Sequence, residues 1–146
     1  AEHTLEIQLP FLQVSLGTFE LCPIIMGQQQ IGLCRELGNV LARSIENPHE
    51  TLVVASSDLS HFHHSARAAV MDSTIAKRIE TFDIEGLNQT LETGAGEACG
   101  GGPIISAMVY AQAVGRTTAQ VLKYANSGDV TGERTSVVGY LAAVIS

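Results

Sequence analysis

Apolar positions recur along this chain at two spacings, helical and extended, and their alternation predicts an α/β fold. Leu5, Leu9 and Leu12, with Ile7 nearby, stand at helical spacing and predict a helix over residues 3–16. Pro10 is expected to kink or restart it. Residues 19–26 (FELCPIIM) form an apolar run closed by Gly27 and predict a buried strand. Leu33, Leu37, Leu41 and Ile45 mark one stripe of a helix over 28–46, which Asn47-Pro48 stops. Residues 51–55 (TLVVA) predict a second strand, which runs into the polar segment Ser56-Ser57-Asp58.

Met71, Ile75 and Ile79 are four apart and predict a helix over 64–80. Asp83 can cap a short helix carrying Ile84, Leu87 and Leu91, ended by Gly94. A Gly-rich loop follows over 94–102. Pro103 suits the first turn of a helix reaching Val114, with Gly115 behind it. Residues 121–126 and 136–145 read as the last strands, and the polar stretch 127–135 joins them as an antiparallel hairpin. The predicted order is α-β-α-β-α-α-α-β-β. It favours a mostly parallel sheet flanked by helices on both faces, with a C-terminal antiparallel strand pair.

Composition narrows the function classes. The 146 residues are 45% apolar and 16% charged, which is globular composition. Eight basic against 15 acidic residues give a net charge of −7, with no basic patch. That excludes nucleic acid and anionic membranes as natural partners. No apolar run approaches the roughly 18 residues of a membrane span. Cys22, Cys34 and Cys99 are odd in number and widely spaced, as expected of reduced thiols in the cytoplasm. Cys22 and Cys34 fall in apolar stripes and are expected in the core.

Three segments have residues that can do chemistry. Asp58 and His61 are three apart at a strand's C-terminal end, where open α/β sheets bind ligands. A carboxylate there can orient an imidazole for proton transfer, or simply cap the next helix. His63 and His64 are adjacent, and read as exposed residues at a helix start. Cys99 lies in Glu97-Ala98-Cys99-Gly100-Gly101-Gly102-Pro103, just before a helix N-terminus. It is a candidate nucleophile or soft metal ligand, or a small apolar side chain in a flexible loop. Asn126-Ser127-Gly128-Asp129 leaves a strand end and is a substrate loop or, on its residue types, a plain turn.

Five stretches occur in an order that resembles the MEMO family, the Memo part of the prokaryotic AmmeMemoRadiSam group. They are EHTLEIQLPFL at 2–12, SSDLSH at 56–61, ACGGGPI at 98–104, YANSGDVTG at 124–132 and SVVGYLAAV at 136–144. The family is similar in fold to the class III extradiol dioxygenases (LigB-like). The resemblance implies that residues 1–146 are the C-terminal part of one such α/β domain, with its N-terminal part outside the chain. It implies Cys99 as a metal ligand in place of a carboxylate, His61 as the acid/base histidine and Asp58 as its neighbour. His3, Gly100 and Asn126 are read as lining the same cleft.

Iron(II) is the implied metal, with copper or zinc as lesser alternatives. The family's two histidine ligands lie in His-Ala-Gly and Ser-His-His segments, and neither segment occurs here. One ligand does not hold a divalent metal, so the metal is expected to be absent from this chain by itself. Gly101 stands where many members carry Arg, which argues against phosphopeptide binding. The expected function is a metal-dependent, dioxygenase-like redox activity in the complete protein. The alternatives are a non-catalytic protein that binds metal, peptide or a radical-SAM partner, and acyl transfer through Cys99 with His61 as base. Oligomerisation is left open.

Overall fold

The computed structural model of the chain describes residues 5–146. Helix α1 (Leu9–Leu16) starts with Pro10 in its first turn and is closed by Gly17 at φ 73°. Pro at that position loses no helical hydrogen bond, so the helix begins where the sequence allowed a restart. None of its residues is buried. Helix α2 (Ile31–Ser44) is followed by a loop leading to strand β1 (His61–His63). Helices α3 (Ser65–Glu80) and α4 (Ile84–Glu92) come next, then α5 (Gly101–Ala113). Strand β2 (Ala119–Asn126), the one-turn α6 (Gly128–Thr131) and strand β3 (Val137–Ile145) complete the chain.

The local signals for α3 to α5 act as expected. Asp83 accepts a hydrogen bond from the Gly86 N–H at 2.8 Å and caps α4. Met71, Ile75 and Ile79 are buried on α3. In α2 the buried line runs through Cys34 and Gly38, one position beyond the predicted leucine stripe, and Leu33 is exposed. Gly38 decides this. A Cβ there would lie 2.6 Å from the Ser106 carbonyl and 2.7 Å from the Val109 side chain. Only a residue without a side chain lets α2 cross α5 so closely. Ile75, Ile79, Leu87, Ile105 and Met108 join Cys34 and Leu59 in one core. Cys22, expected inside, is exposed.

The sheet corrects the sequence reading. Its three strands run in the order β1-β3-β2, and both pairings are antiparallel. The C-terminal antiparallel pair is present, but the mostly parallel sheet is not found among the described residues. Residues 19–26 and 51–55, predicted as strands, join no ladder. Their side chains explain the error, since Leu21, Ile24, Ile25, Leu52 and Val54 are all exposed. An apolar, β-branched run can form a strand only where a neighbour accepts its backbone hydrogen bonds. No helix of the described residues is long and apolar enough to cross a membrane.

Candidate functional site

The segment 56–61 reaches the site because a buried carboxylate fixes it. Leu59, 2% exposed, inserts into the core, and its N–H donates to the Gly139 carbonyl at 2.9 Å. The Gly139 N–H returns to the Ser60 carbonyl at 2.9 Å. The Ser60 N–H donates to Asp72 Oδ1 at 3.0 Å, and the Tyr124 hydroxyl donates to Asp72 Oδ2 at 2.8 Å. Asp72 is fully buried. A carboxylate removed from water is tolerable only with such donors. Gly139 is required here, because a Cβ would run into the Asp72 carboxylate.

Beyond this anchor the chain turns sharply at Phe62, which has φ 61° and a largely exposed ring. A non-glycine residue in the left-handed region is strained, by about 1 kcal/mol or more. Glu97 spans the kink. Its Oε2 accepts from the His61 N–H at 3.2 Å, and its Oε1 lies 3.0 Å from His63 Nε2. The His63 hydrogen bond, aided by that from His61, holds the Glu97 carboxyl below the usual carboxylate range. His63 is therefore paired in β1 and not free at a helix start. His64 does sit at a helix start, as the N-cap of α3, accepting from the Ala66 N–H at 3.3 Å.

Asp58 and Cys99 meet across the next gap. The Asp58 N–H donates to Cys99 Sγ at 3.2 Å, and the Cys99 N–H donates to the Asp58 carbonyl at 3.1 Å. Ser57 Oγ accepts from the Gly100 N–H at 2.8 Å and lies 3.8 Å from Cys99 Sγ. His61 Nε2 is 3.6 Å from Asp58 Oδ2, an ion-pair distance but too long for a hydrogen bond. From the other side, Gln29 Nε2 donates to the Cys99 carbonyl at 2.8 Å, and Gln29 Oε1 accepts from the Gly102 N–H at 2.7 Å.

A cavity of about 640 Å³ opens over this constellation, lined by Gln29, His61, Leu91, Glu97, Cys99 and Gly102 among others. That is ample for a small ligand. The described residues thus bring Asp58, His61 and Cys99 together. Gly100 is buried behind the cysteine loop, where a Cβ would strike the Ser56 carbonyl. Asn126 does not line the cavity. Its Oδ1 accepts from the Gly128 N–H at 3.0 Å in the hairpin turn. His3 lies outside the described residues. Among the described residues, no three His, Cys, Asp or Glu side chains converge to hold a metal ion.

Sequence reasoning missed Gln29, His63, Asp72 and Glu97. Glu97 sits two residues before Cys99 and is the one acidic residue of its loop, which was a signal available in the sequence. Asp72, mid-helix between Met71 and Ile75, was also readable as a charge on an apolar face. Gln29, inside the run Gln28-Gln29-Gln30, carried no signal.

Comparison with known proteins agrees with these motifs. A family model described as Memo-like protein matches residues 1–144. A MEMO1 family protein of Methanosarcina mazei is 40% identical over 146 residues, covering 99% of this chain and 55% of the relative. One from Thermoplasma acidophilum is 37% identical over 144 residues, covering 98% and 52%. One from Methanobrevibacter smithii is 35% identical over 144 residues, covering 98% and 51%. The chain spans about half the length of these curated relatives.

Proposed function

This chain belongs to the Memo-like protein family, and from that premise we propose that it supplies the sulfur and the proton-carrying pair of a ligand-binding cleft. The observation that carries the reading is that Cys99 and His61 line one cavity while Asp58 touches both, its N–H on the sulfur and its carboxylate 3.6 Å from His61 Nε2. Cys99 offers a soft donor atom, and His61, beside the Asp58 carboxylate, can take or give a proton.

The family resemblance implies iron, which needs several donor atoms at one point. Cys99 is a sound ligand by chemistry, but the described residues alone do not form a metal site. In the complete protein the remaining donors would come from outside the described residues, and Cys99 would be the sulfur ligand. Redox activity of the dioxygenase kind and a radical-SAM partner belong to this proposal and follow from the family resemblance; a cytoplasmic setting belongs to it on the number and spacing of the cysteines.

The direct test is anaerobic expression of the full-length protein with Fe(II), followed by metal analysis and O₂ uptake with catechol-type substrates. Bound iron that is lost in Cys99→Ala supports the reading. Undiminished iron in that variant overturns the role of Cys99.

A second reading, non-catalytic binding of a metal, peptide or partner protein, is favoured by one observation. Asp58 and His61 stand 3.6 Å apart, an ion-pair distance and not a hydrogen bond, as a cleft that only binds would allow. A stable complex with a radical-SAM protein and no O₂ uptake would support it over the first.

A further inference from the structure

We infer that Gln29 is a positioning residue, whose side-chain amide sets where the Cys99 sulfur sits in the cleft. The inference rests on the role proposed above for Cys99, and concerns a residue that neither the motifs nor the family resemblance singles out. The Cys99 loop is a Gly-rich segment whose backbone is free to take several courses, so hydrogen bonds are needed to select one. The structure supplies them from two sides. Ser57 and Asp58 hold one side, through the Asp58 carbonyl, the Asp58 N–H and Ser57 Oγ.

Gln29 holds the other side, and it uses both ends of its amide. Nε2 donates to the Cys99 carbonyl at 2.8 Å, and Oε1 accepts from the Gly102 N–H at 2.7 Å. The Gly102 N–H belongs to the first turn of α5, where no helical carbonyl is available to it. One side chain therefore satisfies a helix-end donor and fixes the carbonyl of the residue whose sulfur faces the cavity. The fit is close. A Cβ on Gly102 would lie 2.8 Å from Gln29 Cβ and 2.7 Å from Met26 Sδ. Gln29 itself precedes α2, and α2 packs on α5 through Gly38. The clamp thus ties the sulfur's position to the helix pair and not to the loop alone.

Only a side chain with a donor and an acceptor on one planar head can do this. Gln29→Glu at neutral pH keeps the shape and the acceptor for Gly102 but loses the donor to the Cys99 carbonyl. Gln29→Ala loses both. The readout is amide hydrogen exchange of the metal-free full-length protein, followed by NMR at Asp58, Cys99 and Gly102.

In Gln29→Glu, Gly102 stays protected, while the Asp58 and Cys99 amides exchange several-fold faster, because the released Cys99 loop brings neither its sulfur to the Asp58 N–H nor its own N–H to the Asp58 carbonyl. In Gln29→Ala all three exchange faster. Thermal unfolding of Gln29→Glu stays close to the parent, which separates positioning from a loss of packing. Parent-like exchange at Asp58 and Cys99 in Gln29→Glu overturns the inference. Failure of the full-length protein to bind metal would overturn the proposed role of Cys99 but leave this exchange result standing, so the two failures are distinguishable.

Discussion

Asp58 and Cys99 form a reciprocal pair: the Asp58 N–H donates to the cysteine sulfur at 3.2 Å, and the cysteine N–H donates to the Asp58 carbonyl at 3.1 Å. The first bond depends on the sulfur and the second does not. Cys99→Ala should therefore free the Asp58 amide and leave the Cys99-position amide protected. Both groups are near solvent, so water replaces the lost partner and the cost stays below about 1 kcal/mol. Site-resolved hydrogen exchange together with thermal unfolding checks this. A large loss of stability would show that the sulfur does more for the fold than the geometry indicates.

The Asp72–Gly139 contact predicts a coupled defect. Gly139→Ala forces a methyl group against a buried carboxylate, with an expected cost of about 1–3 kcal/mol. Asp72→Ala leaves the buried Ser60 N–H without its acceptor, at about 1–3 kcal/mol, and takes one partner from the half-buried Tyr124 hydroxyl. The collision in the first variant disappears in the second. The double variant should thus be less destabilised than the sum of the singles, as urea denaturation of all four chains would measure.

Glu97 predicts behaviour in acid. Its carboxyl titrates below its ordinary value of 4.5, chiefly through the His63 hydrogen bond. The sign follows from linkage. A lowered folded-state value stabilises the fold fully above about pH 4.5, and that contribution disappears as pH falls through the folded value. Glu97→Gln removes the titrating group. The stability gap between parent and variant should be greatest near neutrality and close towards pH 3. Denaturant midpoints across that range decide it, and a gap that stays constant would contradict the prediction.

Tyr124 predicts the opposite end of the scale. Burial, then the hydrogen bond to Asp72, pushes its hydroxyl up to about 12 from 10.0. The raised value means a stabilising contribution that is complete below pH 10 and is lost as pH rises through about 12. Absorbance titration at the phenolate band should contain a late transition that Tyr124→Phe deletes. Asp72→Asn, which removes the neighbouring negative charge, should bring that transition to lower pH.

Much of this architecture was legible in the sequence because it depends on neighbours along the chain. The burial of Met71, Ile75 and Ile79, the Asp83 cap, Pro103 in the first turn of α5 and the C-terminal hairpin all follow from short-range spacing. The segments around Asp58, His61 and Cys99 were legible for the same reason, as motifs. Residues 19–26 and 51–55 were misread because a strand is a property of two segments. A β-branched run states a preference, and the ladder that satisfies it depends on chain far away in sequence.

The sequence by itself determined helices α2 to α5, the hairpin, the family and the residue types available for chemistry. The tertiary structure alone decided which of them meet. It set Glu97 beside His63, Gln29 over the Cys99 loop and Asp72 beneath Ser60, contacts spanning from 12 to 73 residues of chain. It also set Asn126 into a turn, where its side chain is occupied by Gly128. Local propensity acts over a few residues, whereas a hydrogen bond between distant segments exists only once the core has fixed both, so no pattern along the chain could announce it.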